Sequence, residues 1–544
     1  MVLTTLQREI VAECLRKRKG CLCVPMGTGK TLIGLTIINR IGSNMPALVV
    51  CSKTLIGSWV SEINKFFGDK LKYAVYHKDY MGKQFHAYRP TVGTDVVLTT
   101  PEVLVGIYKE HNIHSRFVVS TLEDRGGPFP TRVNRYIIPT RPFLPSVHEA
   151  NNAFIYSFTW KCLLIDEVQQ FTNIESVRCE AISSVLSRYR WATTGTPITE
   201  PKIARLLGYY LLIGDDSMPN SIPDAATYLA STAFPGLLST MVIRTQDQLD
   251  FTLPKHTETI ISHTLTWEEE AVYTTLKEVI KQMQATAEAN LGNTTLLNSI
   301  NSQLLSMILY TRQSLVCPLL PYTILMLNGS KRNIMSKCFA EEISKLNLEE
   351  WLQDENASRS SRINEIISVL GKHPDERCIV FTCFRTNLNV MEYYISKDTG
   401  RVIFTINAKQ SAIRRGQVLE EFGASDNGIL LLTYGLGAEG LNLQSSHVVL
   451  LSDVWWNDSK MSQAIARVLR RGQTEEVSIY LFTSNTGLEK SLYEKHIDKR
   501  TIINSLMTGK MVGEIRPLNM KAIVRMITTD EVLTTFKSAR KMVQ

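Results

Sequence analysis

The string PMGTGKT, Pro25 to Thr31, sits between the apolar run CLCVP and the apolar-periodic run TLIGLTII. That order fits one local architecture, a strand that turns on glycines into a helix, and it constrains the chain more than any other feature. In such a turn backbone N–H groups and the helix N-terminus face an anion, so the phosphates of a nucleotide are the expected ligand. Lys30 is expected to reach the β and γ groups and Thr31 to hold Mg²⁺. The spaced first glycine of the general motif falls at Val24, so the match is imperfect. The candidate nucleotide-binding set is Val24, Pro25, Met26, Gly27, Thr28, Gly29, Lys30 and Thr31, and the competing reading is a glycine turn with no ligand.

At 544 residues the chain exceeds one hydrophobic core. From Gly20 to about Thr245 the strand-like runs CLCVP, ALVVCS, YAVYH, DVVLTT, KCLLIDE and RWATTGT alternate with helical stretches. Such alternation marks a parallel sheet wrapped by helices, an α/β architecture. A second series begins near Arg362 with CIVFTCF, RVIFTI, GILLLT, HVVLLSD and VSIYLFT, so two sheets are expected. Between them Thr266 and Glu269 form a capping box, and Val272, Leu276, Val279, Ile280 and Met283 mark one helix face. The predicted division is a first lobe over 1–250, a helical bridge over 251–357, a second lobe over 358–510 and a tail over 511–544. A segment at about 109–159 interrupts the first lobe with Pro128, Pro130, Pro139, Pro142 and Pro145 among Arg125, Arg132, Arg135 and Arg141. It reads as a solvated insert, with a DNA-contacting insert as the alternative.

Apolar residues make up 44% and charged residues 21%, the balance of a soluble globular protein. No apolar run approaches the roughly eighteen residues of a membrane span. The start, MVLTTLQREIVAECLRKRKG, is amphipathic rather than secretory, so nucleus or cytoplasm is the expected location. The ten cysteines contain no CxxC pair, and Cys21 and Cys23 fall on one strand face, which favours buried thiols over metal ligands. A formal charge of +8 favours a polyanionic partner without requiring one. Arg16, Lys17, Arg18 and Lys19 resemble an import tag, but a helix end capped by Gly20 is the preferred reading.

Asp166 and Glu167 close the hydrophobic strand Cys162 to Ile165. One carboxylate there can hold Mg²⁺ through water and the other can orient or deprotonate an attacking water. Lys30 on a neighbouring strand would complete a hydrolytic site. Thr194, Gly195, Thr196 and Pro197 read equally well as a γ-phosphate sensor or as a plain turn. Gln463, Arg467 and Arg470 fall at i, i+4 and i+7, on one face of an expected helix. Arg467 and Arg470 thus suit an arginine-finger pair, against the alternative of a basic face in water. The adjoining Trp455 and Trp456 and the glycine-rich loop TYGLGAEGLNLQ favour the finger.

With these residues in view, the chain resembles the Swi/Snf family of superfamily-two helicase-like ATPases. Val24 to Thr31 matches the family's DEMGLGKT, and TGTP at Thr194 to Pro197 is shared outright. Ala438 to Leu443 matches GEGLNL and includes Gly440, a candidate nucleotide contact. Trp455 to Asp458 matches WWNP, and Gln463 to Gln473 matches QAxxRVHRxGQ. Gln7 resembles the adenine-reading glutamine, SKTLIGSW with Trp59 and DVVLTTPEVL resemble strand-following segments, and RQSLVCP at Arg312 to Pro318 resembles a linker mark. The chain departs from the family at DEVQ for DEAH, at Leu469 for a histidine, at Pro25 for an acid and at Thr199-Glu200 after TGTP.

The resemblance implies two RecA-like lobes, ATP and Mg²⁺, and translocation on double-stranded DNA that remodels DNA-bound proteins. It implies a compact form without accessory reader domains, and a viral or microbial source is one guess. Phosphate-backbone contacts would come from Ser52, Lys53, Thr99 and Thr100 in the first lobe and Thr433 and Trp455 in the second. Thr99 and Thr100 read equally as ordinary strand-end residues, and at least one of Trp455 and Trp456 is expected in the core. The competing functions are a strand-separating helicase and an ATP-gated, non-hydrolysing DNA clamp.

Overall fold

The computed structural model describes residues 3–507 except 26, 43, 87, 92, 112–117, 124–130, 137–153, 158, 197–202, 216–220, 222–223, 225–239, 244–247, 249–253, 291, 328–333, 347, 349–350, 352–358, 439–440, 457 and 471. The tail expected at 511–544 and most of the insert therefore lie outside the described residues. The chain forms two compact units, one mainly Met1–Thr252 and the other mainly Leu253–Thr501.

In the first unit the strands are β1 (Lys19–Cys23), β2 (Ala47–Val50), β3 (Tyr73–Tyr76), β4 (Val96–Thr99), β5 (Val118–Glu123), β6 (Thr131–Tyr136), β7 (Trp160–Ile165), β8 (Ser187–Thr194) and β9 (Met241–Ile243). Seven of them form one sheet in the order β3-β4-β2-β7-β8-β1-β9, every pairing parallel. Strands β2, β4 and β7 are buried along their whole length. That is why they read as unbroken apolar runs rather than alternating ones: helices cover both faces of a parallel sheet. Ile33 and Ile37 of the helix Lys30–Arg40 share this core with Trp59, Leu164 and Trp191.

Among the described residues, strands β5 and β6 form a separate antiparallel pair inside the insert. Val133 and Tyr136 are buried there, and Arg135 pairs with Asp224 at 3.1 Å. The helix Thr5–Lys17 carries the expected basic residues in its last turn. Its cap is Arg18, at φ 65°, which corrects the expectation of a glycine cap. Gly20 belongs to β1, where a Cβ would stand 2.2 Å from the carbonyl of Thr240, so close backbone approach is what requires glycine there.

The second unit holds β10 (His256–His263), β11 (Cys378–Thr382), β12 (Ile403–Ile406), β13 (Ile429–Thr433), β14 (Val448–Leu451) and β15 (Val477–Ser484). They form a second sheet in the order β10-β15-β14-β11-β13-β12, again wholly parallel. The stretch expected to be a helical bridge thus opens with a strand: β10 pairs with β15 from His256 opposite Val477 to His263 opposite Ser484. The helix Trp267–Ala289 follows, with the Thr266–Glu269 capping box and the apolar face read from the sequence. Val272, Leu276 and Met283 from it, and Leu304 and Met307 from the helix Thr294–Ser314, share one core with Phe381, Leu432 and Leu451 of the second sheet. This helical segment is therefore built into the second unit. Beneath it Arg362 is fully buried and donates to both carboxylate oxygens of Glu489, at 2.9 and 2.5 Å.

Candidate nucleotide site and its second-unit counterpart

Gly27 and Gly29 adopt φ of 83° and 82°, the left-handed region that disfavours a side chain. A Cβ on Gly29 would also meet Gln7 Nε2 at 2.9 Å. Gly29 is the N-cap of the helix Lys30–Arg40, and with no side chain of its own it makes no cap hydrogen bond to the first N–H groups of that helix. An uncapped N-terminus behind a two-glycine turn is a ready cradle for anionic oxygen. Thr28 stiffens the turn by donating its hydroxyl to the carbonyl of Pro25 at 2.7 Å. Gln7 braces it from outside, donating to the carbonyl of Thr28 at 2.9 Å while its Oε1 accepts the Thr4 N–H at 3.1 Å. Gln7 is thus also half of a capping box, a role the sequence reading had not assigned. Lys30 Nζ donates to the carbonyl of Val24 at 3.5 Å, and Thr31 is half-buried in the same first turn. Met26 lies outside the described residues.

The acids follow β7, and the sheet order inserts β8 between β7 and β1. This corrects the picture of Lys30 and the acids on neighbouring strands: strand crossover, invisible in local sequence, puts one strand between them. The carboxyl ends of β7, β8 and β1 then lie side by side, the usual place for a ligand in an open parallel sheet. Asp166 is buried and accepts three hydrogen bonds, from Trp59 Nε1 at 3.0 Å, the Thr193 hydroxyl at 2.8 Å and the Glu167 N–H at 3.0 Å. Burial and the neighbouring charge of Glu167 push its carboxyl above the usual range, while the donors from Thr193 and Trp59 and the Lys30 ammonium pull it back. Glu167 stands at φ 51° and ψ 50° and accepts from Gln169 Nε2 at 2.6 Å.

Neither Trp59 nor Thr193 was among the candidate site residues. One tryptophan on an amphipathic helix carries no mark of an acid partner more than a hundred positions away. Trp59→Phe keeps the packing and removes one donor to the ionised carboxylate, so Asp166 becomes harder to deprotonate. The expected result is about a tenfold fall in kcat, the scale of one hydrogen bond to a charged group, with the acid limb of the ATPase pH profile moved to higher pH. An unmoved acid limb would show that this bond does not matter to turnover.

Thr194 accepts the Thr196 N–H at 2.9 Å and offers its carbonyl to the Val24 N–H at 3.3 Å. These bonds shape a turn at residues 194–196, and Pro197 lies outside the described residues. Among the expected DNA contacts, Ser52 shares a hydroxyl bond with Thr54 at 3.0 Å, and exposed Lys53 pairs with Asp79. Thr99 and Thr100 are fully buried. The Thr99 hydroxyl donates to the carbonyl of Tyr76 at 3.0 Å, and that of Thr100 caps the following helix. Both hydroxyls are thus engaged inside the unit.

In the second unit the helix Asp458–Ile465 is anchored at its start, where Arg500 donates to both oxygens of Asp458 at 2.7 Å. Gln463 is buried on it. The helix ends before Arg467 and Arg470, which corrects the single-face argument. Past Ile465 the N–H groups of Arg467 and Val468 bond three residues back, and the chain leaves the helix in successive turns. Both arginines are half-buried. Thr433, half-buried, ends β13 opposite Thr382 of β11, and Gly440 lies outside the described residues. Trp455 and Trp456 are each half-buried at the edge of the core, Trp455 meeting Tyr434 edge-on at 6.0 Å.

Among the described residues no group of three or more His, Cys, Asp or Glu side chains could hold a metal alone. One carboxylate, one hydroxyl and an adjacent phosphate cradle instead suit Mg²⁺, which keeps several waters and binds largely through substrate phosphates. Cys21 and Cys23 are buried free thiols 3.5 Å apart, and burial pushes the thiols of Cys51 and Cys162 up, the latter to about 12. No helix among the described residues is long and apolar enough to cross a membrane.

A glycine cradle at a helix N-terminus, a lysine, and a buried aspartate beside a half-buried glutamate, all at carboxyl strand ends, define the class: a phosphate-loop α/β protein that uses nucleotide. Family models agree, with the SNF2-related domain matching residues 7–214 and the helicase conserved C-terminal domain matching 361–472. The chain belongs to the Swi/Snf family of superfamily-two helicase-like ATPases and is an ATP hydrolase built on two wholly parallel sheets. It is similar to protein 172L of Invertebrate iridescent virus 6, which carries a helicase name, at 25% identity over 91% of this chain and 86% of that protein. It is 21% identical to the ISWI chromatin-remodeling complex ATPase CHR11 of Arabidopsis thaliana over 93% of this chain and 43% of that one. With the DNA repair protein RAD5 of Saccharomyces cerevisiae it shares 32% identity over 28% of this chain and 14% of that one. The match thus spans less than half the length of these two cellular relatives.

Proposed function

We propose that this ATPase translocates on double-stranded DNA and uses the motion to remodel protein–DNA complexes in transcription, repair or replication. One observation carries the reading. Besides the sheet that cradles the nucleotide, the chain holds a second wholly parallel sheet of its own, with the segment that carries Gln463, Arg467 and Arg470 set between its strands β14 and β15. Turning over ATP requires only a cradle and an acid, whereas a motor needs a second body whose state the nucleotide can change. The strings WWND and AEGLNL, and the names of relatives in DNA repair and chromatin remodelling, favour duplex tracking over strand separation.

In this mechanism the loop from Pro25 to Thr31 and the first N–H groups of its helix hold the phosphates, with Lys30 neutralising the terminal groups and Gln7 against the loop toward the base. Thr31 and Asp166 would hold Mg²⁺, which would supply charge neutralisation along the phosphate chain. Glu167 orients and deprotonates the attacking water, and Arg467 and Arg470 stabilise the charge that develops in transfer. Ser52, Lys53, Thr433 and Trp455 contact the DNA backbone without reading sequence.

The test is ATP turnover by the full chain with and without duplex DNA, beside triplex displacement and duplex unwinding. Stimulated turnover with displacement and no unwinding is the expected result. Turnover indifferent to nucleic acid overturns it, unwinding would make the chain a strand-separating helicase, and DNA binding without phosphate release would make it a clamp.

A further inference from the structure

The last turn of the helix Thr294–Ser314 is buried, Arg312 included. Arg312 Nη2 donates to the carbonyl of Val454 at 2.7 Å and to Cys383 Sγ at 3.3 Å. Its guanidinium lies over the ring of Trp456 at 4.4 Å and over that of Phe384 at 5.4 Å. The next residue, Gln313, donates to the Thr386 hydroxyl at 2.5 Å. Cys383, Phe384 and Thr386 follow β11, whereas Val454 and Trp456 follow β14. Two side chains at one helix end therefore grip both loops at the carboxyl edge of the second sheet.

Those loops are also tied from beneath. Asp453 accepts the Thr382 hydroxyl at 2.6 Å and the Cys383 N–H at 2.9 Å. The Asp453 carboxylate ties its own strand end to the Thr382 hydroxyl and the Cys383 backbone, but Arg312 is the group that sets the tryptophan ring and the carbonyl directly before Trp455. Among the described residues no ion pair is formed by this buried cation. Its charge is met by a carbonyl and two ring faces, a geometry that suits a planar, weakly hydrated guanidinium better than a compact, strongly hydrated ammonium.

We propose that Arg312, assisted by Gln313, is a positioning residue for duplex-coupled ATP turnover: it fixes the Trp455–Trp456 loop against the loop after β11, so that the helical segment dictates how Trp455 is presented to DNA. The proposal rests on the functional reading above. It assigns the helix Thr294–Ser314 a coupling role beyond its part in the core.

The test uses the full chain with Arg312→Lys, Arg312→Ala and Gln313→Ala. Turnover is measured against duplex concentration, and tryptophan emission is measured with neither DNA nor nucleotide. For Arg312→Lys the duplex concentration at half-stimulation should rise about tenfold, the scale of a desolvated cation–π contact with its hydrogen bond, with kcat at saturating duplex held within about threefold. Lysine should fail to rescue, and Gln313→Ala should show a smaller effect in the same direction. Emission should shift to the red in Arg312→Lys, and the shift should vanish in a Trp456→Phe background, which isolates one of the seven tryptophans. An Arg312→Lys protein with wild-type half-stimulation and emission overturns the proposal. So does an Arg312→Ala protein that loses thermal stability and kcat with half-stimulation unchanged, since that is packing alone. If wild type is not stimulated by duplex, the coupling role falls with the functional reading, while emission still decides whether Arg312 holds the loop.

Discussion

Glu167→Gln should lower kcat for ATP about a hundred- to ten-thousandfold, the contribution of a positioned base, and leave the fold unchanged. The change is isosteric and the amide can still meet Gln169, which now donates to Glu167 at 2.6 Å. Nucleotide binding should survive, because the cradle from Pro25 to Thr31 and Lys30 is untouched. The neighbouring charge supplies an independent check. Glu167 is one of the two influences that push the Asp166 carboxyl up, so its neutralisation should let Asp166 ionise at lower pH. Affinity for Mg²⁺–ATP measured near pH 6 should therefore be equal to wild type or tighter, while phosphate release in a single turnover collapses. A kcat within threefold of wild type would remove Glu167 from the chemistry.

Arg470→Ala should cost about a thousandfold or more in kcat, the range seen when an arginine finger is lost. Arg470→Lys should not restore it, because an ammonium cannot reproduce the planar fork that meets phosphoryl oxygens in pairs. Binding of ATP should change little, since the first unit carries the cradle. Arg467→Ala should follow the same pattern. Steady-state kcat beside nucleotide affinity separates the cases: a loss under tenfold reassigns Arg470 to structure, and a loss of affinity with kcat intact makes it a ground-state binder.

How far the site was legible follows from the range of the interactions. The cradle was readable because its strand, glycines and helix are consecutive, and the left-handed φ of Gly27 and Gly29 is a property of that short stretch. The Thr266–Glu269 capping box was readable for the same reason, three residues apart. Arg467 and Arg470 were misplaced on a helix because spacing reports the period a helix would have and not where it stops. Trp59, Thr193 and Arg312 were missed as site residues because their partners lie 107, 27 and 142 positions away, in strands or loops that only the folded sheet brings near.

By itself the sequence determined that this chain builds two parallel α/β sheets, a two-glycine turn into a helix ahead of a carboxylate pair, and buried thiols, since apolar runs, glycine turns and caps act through neighbouring residues. Tertiary structure alone decided that β8 separates the acids from β1, that β10 joins the second sheet, and that a buried arginine from the helical segment grips the tryptophan loop. Strand order and buried side-chain partners depend on contacts between segments far apart in the chain, and no local period encodes which distant segment will be the neighbour.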